Sequence, residues 1–164
     1  MPNAEKMLEI QNRLLREELN YDCEELYKKH ALLKSQLNQG QKHVYDCVLN
    51  AVNAKKGGLF FVYGHGGTGK TFLWDTITSK LRSDGKIVLA VASSGIASLL
   101  LPGGRTAHSR FKIPLIITDS SICSIKKKTH LAGLIEKTYL IIWDEAPMNH
   151  KRCFETLDRS LRDV

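Results

Sequence analysis

The sequence predicts an α/β fold, a parallel sheet with helices on both faces, and three observations predict it. Short apolar runs alternate with segments of helical spacing. A glycine-rich octet, Gly64-His65-Gly66-Gly67-Thr68-Gly69-Lys70-Thr71, lies between one such run and one such helix. A later run, Tyr139-Leu140-Ile141-Ile142-Trp143, ends in the acids Asp144 and Glu145.

The elements follow in chain order. Residues 4–36 are charged, with Leu15, Leu19, Leu26 and Leu33 at helical offsets. Asn20-Tyr21-Asp22 breaks that run, because Asp22 with Glu25 makes a capping box, so two short helices packing beside the sheet are expected. A coiled-coil partner helix is the alternative, which their short and irregular apolar repeat does not favour. Another helix runs from about Gln39 to Val52, ended by Asn53 and the turn Lys55-Lys56-Gly57-Gly58. Gly58-Leu59-Phe60-Phe61-Val62-Tyr63 predicts a buried parallel strand feeding the octet. Phe72-Leu73-Trp74 through Leu81 is helical and is stopped by Ser83-Asp84-Gly85. Lys86-Ile87-Val88-Leu89-Ala90-Val91 reads as a second buried strand. Leu140 to Trp143 reads as a third, apolar throughout as in a strand covered on both faces.

The octet fits the phosphate-loop pattern G-x-x-x-x-G-K-[ST]. Glycines at 64, 66, 67 and 69 are expected to turn the backbone where a Cβ would forbid it, aiming N–H groups inward beside a helix N-terminus. Lys70 supplies a point charge for the β- and γ-phosphates, and the Thr71 hydroxyl is a hard ligand for Mg²⁺. Asp144 would hold the same ion from across the loop, and Glu145 would orient and deprotonate the attacking water. Lys70 and Glu145 are therefore the catalytic candidates. Trp143 reads as core. No Asn-Lys-x-Asp element occurs, which argues against a GTPase.

With 164 residues, 43% hydrophobic and 25% charged, the chain suits one soluble domain with a sizeable core. A formal charge of +7 favours an anionic partner. Lys126-Lys127-Lys128, the densest basic run, lies in a polar segment and reads as a solvated loop, with a nucleic-acid contact as the alternative. Cys23, Cys47, Cys123 and Cys153 lack metal-ligand spacing and read as reduced thiols of an intracellular protein. No apolar run approaches a membrane span, and Glu5, Lys6 and Glu9 are unlike a signal peptide.

Ala92-Ser93-Ser94-Gly95-Ile96-Ala97-Ser98 and Leu101-Pro102-Gly103-Gly104-Arg105-Thr106-Ala107-His108-Ser109-Arg110-Phe111 follow the second strand, and Asp144-Glu145-Ala146-Pro147-Met148 ends the third. In order and spacing these motifs resemble the Pif family, superfamily-one DNA helicases that move 5′ to 3′, over residues 12–164. The resemblance implies a RecA-like ATPase domain over residues 37–164, preceded by a helical segment over 1–36. It makes Leu37-Asn38-Gln39-Gly40-Gln41 similar to the adenine-reading element, with Gln41 on the base edge. The local alternative is a capping box between Asn38 and Gln41. Thr68 belongs to the nucleotide-binding loop. Ser93, Ser94 and Gly95 resemble the family's first DNA-contacting motif, and Thr106, His108 and Ser109 the second. For Ser93 and Ser94 a helix N-cap is the competing role, and for His108 a structural one.

The function so implied is ATP-dependent DNA unwinding in repair, recombination and replication, with Mg²⁺ as cofactor. Single-stranded DNA and single-strand/duplex junctions are the implied partners, in the nucleus or the mitochondrion. The family continues through a polar sensor, a second hydrolase-like domain and γ-phosphate-facing arginines. The 164 residues alone are therefore expected to lack unwinding activity. Two other classes stay open: a module that binds nucleotide or DNA without turnover, and another phosphate-loop enzyme such as a nucleotide kinase. A kinase needs an acceptor site and a basic lid, and the Asp144-Glu145 pair favours hydrolysis.

Overall fold

The computed structural model describes residues 12–163. The expected helical segment before Asn12, including Glu5, Lys6 and Glu9, lies outside them. Helices α1 (Arg13–Leu19), α2 (Cys23–Ser35) and α3 (Gln39–Asn53) precede the phosphate-loop helix α4 (Lys70–Ser83). Strand β1 (Ile87–Ala92), helix α5 (Gly95–Leu99), strand β2 (Arg105–Thr106) and helix α6 (Ala107–Phe111) follow. Helix α7 (His130–Glu136), strand β3 (Thr138–Asp144), a 3₁₀ turn (Ala146–Met148) and helix α8 (Lys151–Asp163) complete them.

The helix starts are locally encoded. Asn12 accepts from the N–H groups of Leu14 and Leu15, and Asp22 from those of Glu24 and Glu25. The reciprocal Glu25 bond of a capping box is not formed there. At α3 the box is complete, with Asn38 and Gln41 bonding each other's backbone N–H.

The strands form one parallel sheet in the order β2-β1-β3. Side chains alternate across it. Ile87, Leu89 and Val91 face a core made with Leu15 of α1, Phe111 of α6, Leu134 of α7 and Leu157 of α8. Val88 faces Tyr45 and Val48 of α3 and Leu73, Ile77 and Leu81 of α4. Ala90 and Ala92 face Ala97 and Leu101. β1 is consequently buried at every residue, which is how an uninterrupted apolar run behaves between two helical layers.

Two expectations change and one is qualified. The run 58–63 forms no strand: Leu59 is 98% exposed, Phe61 72% and Tyr63 76%. A strand needs a partner edge for its backbone groups, and this run pairs with none of the described strands. β3 is covered on both faces, Ile141 and Trp143 packing on the first core and Leu140 and Ile142 on the second. As the edge of the described sheet it is only partly buried: Ile142 is buried, the other six residues are not, and Tyr139 is exposed. Finally, α1 does more than pack beside the sheet. Leu15 joins the core, and Glu18 is buried against Arg110 (Oε1–Nη2 2.6 Å) and Arg82 (Oε2–Nη2 3.5 Å). The short β2, α6 and α7 have no counterpart in the sequence pattern; Thr129 caps α7 by accepting from the N–H of Ala132.

Candidate nucleotide and nucleic-acid site

Register places the site residues in one row. Ala92 of β1 pairs with Thr106 of β2 on one side and Asp144 of β3 on the other. The turns leaving the three carboxyl ends therefore emerge together: Ser93-Ser94-Gly95, Thr106 to Ser109, and Asp144-Glu145. This edge is where parallel α/β sheets present ligand-binding loops.

The phosphate loop approaches through α4. Gly69 (φ 78°) is its N-cap in the left-handed region, and Gly67 (φ 80°) lies there too. Both need glycine. Gly64 is demanded by space instead, since a Cβ there would meet Thr68 Oγ1 at 2.8 Å. Gly66 has neither constraint, so the expectation that all four glycines relieve forbidden backbone holds for two. Thr68 closes the loop by donating from Oγ1 to the His65 carbonyl at 2.9 Å. Lys70 Nζ donates to the carbonyls of Gly64 (2.6 Å) and His65 (2.9 Å). Its ammonium is thus held at the mouth of the loop with a third proton to spare.

Gln41 is engaged at both ends of its amide. Oε1 accepts from the Asn38 N–H at 3.1 Å, and Nε2 donates to the carbonyls of Thr68 and Gly69, both at 3.3 Å. The local capping role is formed, and the same side chain lies against the loop.

The two acids are held from different directions. Asp144 Oδ1 accepts from Trp74 Nε1 at 3.3 Å. Trp74 stands three residues after Thr71 on α4, so both project from one face of that helix. Thr71 is exposed in the first turn and Asp144 is half-buried. A hydroxyl and a carboxylate on the same side of α4 are the kinds of oxygen ligand that a hard divalent cation takes. Glu145 adopts φ 52°, uncommon outside glycine. Its carbonyl accepts from Ser93 Oγ (2.7 Å) and the Met148 N–H (2.9 Å), and its Oε2 accepts from Ser94 Oγ (3.2 Å).

On the other expected DNA motif, Thr106 caps α6 through the Ser109 N–H at 3.3 Å. His108 is half-buried and opens onto a shallow cleft with Leu115, Ile117, Asn149 and Arg152. Gly95 and Ser109 are exposed. Lys126-Lys127-Lys128 is exposed and leads into the turn before α7. Trp143 packs on Phe154 and Phe111 (ring centroids 4.4 and 6.2 Å) and donates from Nε1 to Ser93 Oγ at 3.4 Å. It is core with one polar end.

The sequence pattern of PIF1-like helicases matches residues 36–164. The chain belongs to that family. It is 30% identical over 130 residues to ATP-dependent DNA helicase PIF4 of Trypanosoma brucei brucei, covering 77% of this chain and 15% of the relative. It is 30% identical over 110 residues to ATP-dependent DNA helicase Pif1 of Campylobacter jejuni, covering 63% of this chain and 24% of that one. A solved Pif1 helicase, described as unwinding forked duplex DNA as two coordinating molecules, superposes with a TM-score of 0.64. That match has 30% identity and covers 77% of this chain and 29% of the solved one. The chain thus spans under a third of the length of these relatives. The shared fold is the parallel α/β arrangement of a RecA-like domain.

Sequence reading missed Trp74 as the partner of Asp144 and Glu18 as the counter-ion of two arginines. The only available signals were an indole one turn beyond the phosphate loop and a carboxylate in a charged helix.

Proposed function

We propose that the protein is an ATP-driven DNA helicase in which these residues bind ATP and grip one DNA strand. Hydrolysis drives 5′-to-3′ movement along single-stranded DNA and opening of duplex at junctions, in repair, recombination and replication within the nucleus or mitochondrion. The observation that carries the reading is the register row Thr106–Ala92–Asp144, which brings the acids Asp144-Glu145 and both expected DNA motifs to one sheet edge. The names of the relatives support it.

In this reading Gly64, Gly66, Gly67, Thr68 and Gly69 wrap the phosphates and Lys70 neutralises their charge. Thr71 and Asp144 would hold Mg²⁺, which supplies further neutralisation of the triphosphate. Glu145 orients water and takes its proton. Gln41 reads the adenine edge by exchanging its bonds to Asn38 and the loop for bonds to the base. Ser93, Ser94, Gly95, Thr106, His108 and Ser109 hold phosphate oxygens, which position a strand without reading its sequence.

Thermal unfolding with Mg-ATP tests the loop. At about a hundred times the dissociation constant, nucleotide should stabilise the wild type by ~2.7 kcal/mol, with that gain lost in Lys70→Ala. Glu145→Gln should keep the shift and lose most turnover, since shape survives while the base is neutralised. An undiminished shift in Lys70→Ala would remove the loop assignment, and near-normal turnover in Glu145→Gln the base.

A further inference from the structure

The structure assigns Ser94 as a positioning residue that holds Glu145 until a DNA phosphate accepts the serine's hydrogen bond in its place. The inference rests on the helicase reading and deepens it: it says how strand binding at the turn after β1 reaches the acid in the turn after β3.

A serine hydroxyl has one proton to give. Ser94 Oγ gives it to Glu145 Oε2 at 3.2 Å and accepts from the Ala97 N–H at 3.2 Å, so its donor and one acceptor position are both in use. A phosphate oxygen is acceptor-only. To bind Ser94 it must take that proton, and Glu145 must lose it. The approaching phosphate also repels the carboxylate, which moves Glu145 the same way.

The surroundings limit what can move. Ser93 Oγ donates to the Glu145 carbonyl at 2.7 Å, and the Ser93 N–H donates to the Asp144 carbonyl at 3.3 Å. These bonds stitch the turn after β1 to the turn after β3 and pin the Glu145 backbone at φ 52°. The side-chain rotamer is left free. Glu145 is exposed, so its bond to Ser94 exchanges readily with other partners. Asp144 is tied separately, to Trp74 on the phosphate-loop helix. The metal-side acid is thus anchored from the nucleotide side, and the water-side acid from the DNA side.

The test uses the full natural protein and oligo-dT. Ser94→Gly keeps a serviceable N-cap and removes the proton. It should raise DNA-free kcat by about 2- to 12-fold, the factor of one ordinary hydrogen bond, at unchanged KM for ATP and with reduced stimulation by oligo-dT. Ser94→Thr, which restores the hydroxyl, should return both values. A second readout needs no turnover: Glu145→Ala frees the Ser94 proton and should tighten oligo-dT binding by a similar factor. Unchanged or weaker binding in Glu145→Ala, or wild-type DNA-free kcat and stimulation in Ser94→Gly, overturns the assignment. Wild-type protein that fails to bind oligo-dT, or Lys70→Ala protein that hydrolyses ATP normally, removes the helicase reading itself.

Discussion

The two flanks of the sheet are built on different terms. On the β2 side, β1 is buried throughout, and α1 is latched to the core by Glu18 between Arg82 and Arg110. On the phosphate-loop side, β3 is the outer strand among the described ones and the apolar run 58–63 is largely exposed. A carboxylate of the charged helix went inside, and the hydrophobic segment stayed outside. Burial follows from having a partner: a carboxylate facing two guanidiniums can be enclosed, whereas an apolar run with no neighbouring edge cannot.

The latch carries the largest predicted effect. Glu18, Arg82 and Arg110 are 6%, 3% and 4% exposed. Arg82 also donates to the carbonyls of Pro102 (2.9 Å) and Val88 (3.1 Å) and lies under the Tyr21 ring at 4.3 Å. Burial pulls its pKa below the ordinary arginine value, while Tyr21 and Glu18 oppose that pull. Glu18→Ala leaves two enclosed cations without a counter-ion and should cost about 3–5 kcal/mol in urea unfolding. On the other flank Phe61→Ser should stay within about 0.5 kcal/mol, because the ring is already solvated. Similar costs at the two sites would erase the contrast between the flanks.

Within the phosphate loop the same contrast appears between neighbours. Gly69→Ala places a Cβ at φ 78° and within 2.6 Å of Gln41 Nε2, the flexible end of a side chain. The steric contact yields; the backbone strain remains, at about 1–2 kcal/mol. Gly66→Ala meets nothing within 4 Å and has no positive φ, so it should be tolerated, with a cost near zero. Thermal unfolding of the two variants without nucleotide separates them. Equal losses would show that the loop is constrained as a whole.

How far the sequence was legible follows the span of each interaction. The phosphate loop, the α3 capping box and β1 are short-range patterns, and each could be read from a few adjacent residues. Trp74 to Asp144 spans 70 positions, Ser94 to Glu145 spans 51 and Glu18 to Arg110 spans 92. No local pattern distinguishes Glu18 from the exposed Glu17 beside it; only the fold aims one of them at two arginines. The run 58–63 failed for the converse reason. Its composition fits a strand, but a strand is a property of two edges. The same limit applies to Gln41, whose capping role was visible locally while its reach to the loop was not.

The smallest effect tests whether the helical layer behind the exposed flank is as tightly built as the latched one. His30 of α2 is buried, with Nε2 2.7 Å from the Tyr45 hydroxyl of α3. Burial, reinforced by Lys80 and Lys34 against Asp84, lowers the His30 pKa below its ordinary 6.5. Burial, with Asp46 and Asp84, pushes Tyr45 up from 10.0 to about 12. The folded chain therefore keeps His30 neutral while the unfolded chain takes up a proton below 6.5. Its contribution is present above that value and declines as pH falls toward the lowered folded value. Tyr45 behaves oppositely at the alkaline end. The unfolded chain releases its proton near 10 and the fold retains it to about 12, so that contribution is lost as pH rises through this window. His30→Phe should flatten the acid limb of unfolding free energy against pH, and Tyr45→Phe the alkaline limb, whatever constant offset each variant adds. Limbs that stay parallel to wild type in both variants would mean that water reaches the pair, leaving the layer behind the phosphate loop as open as the strand-like run in front of it.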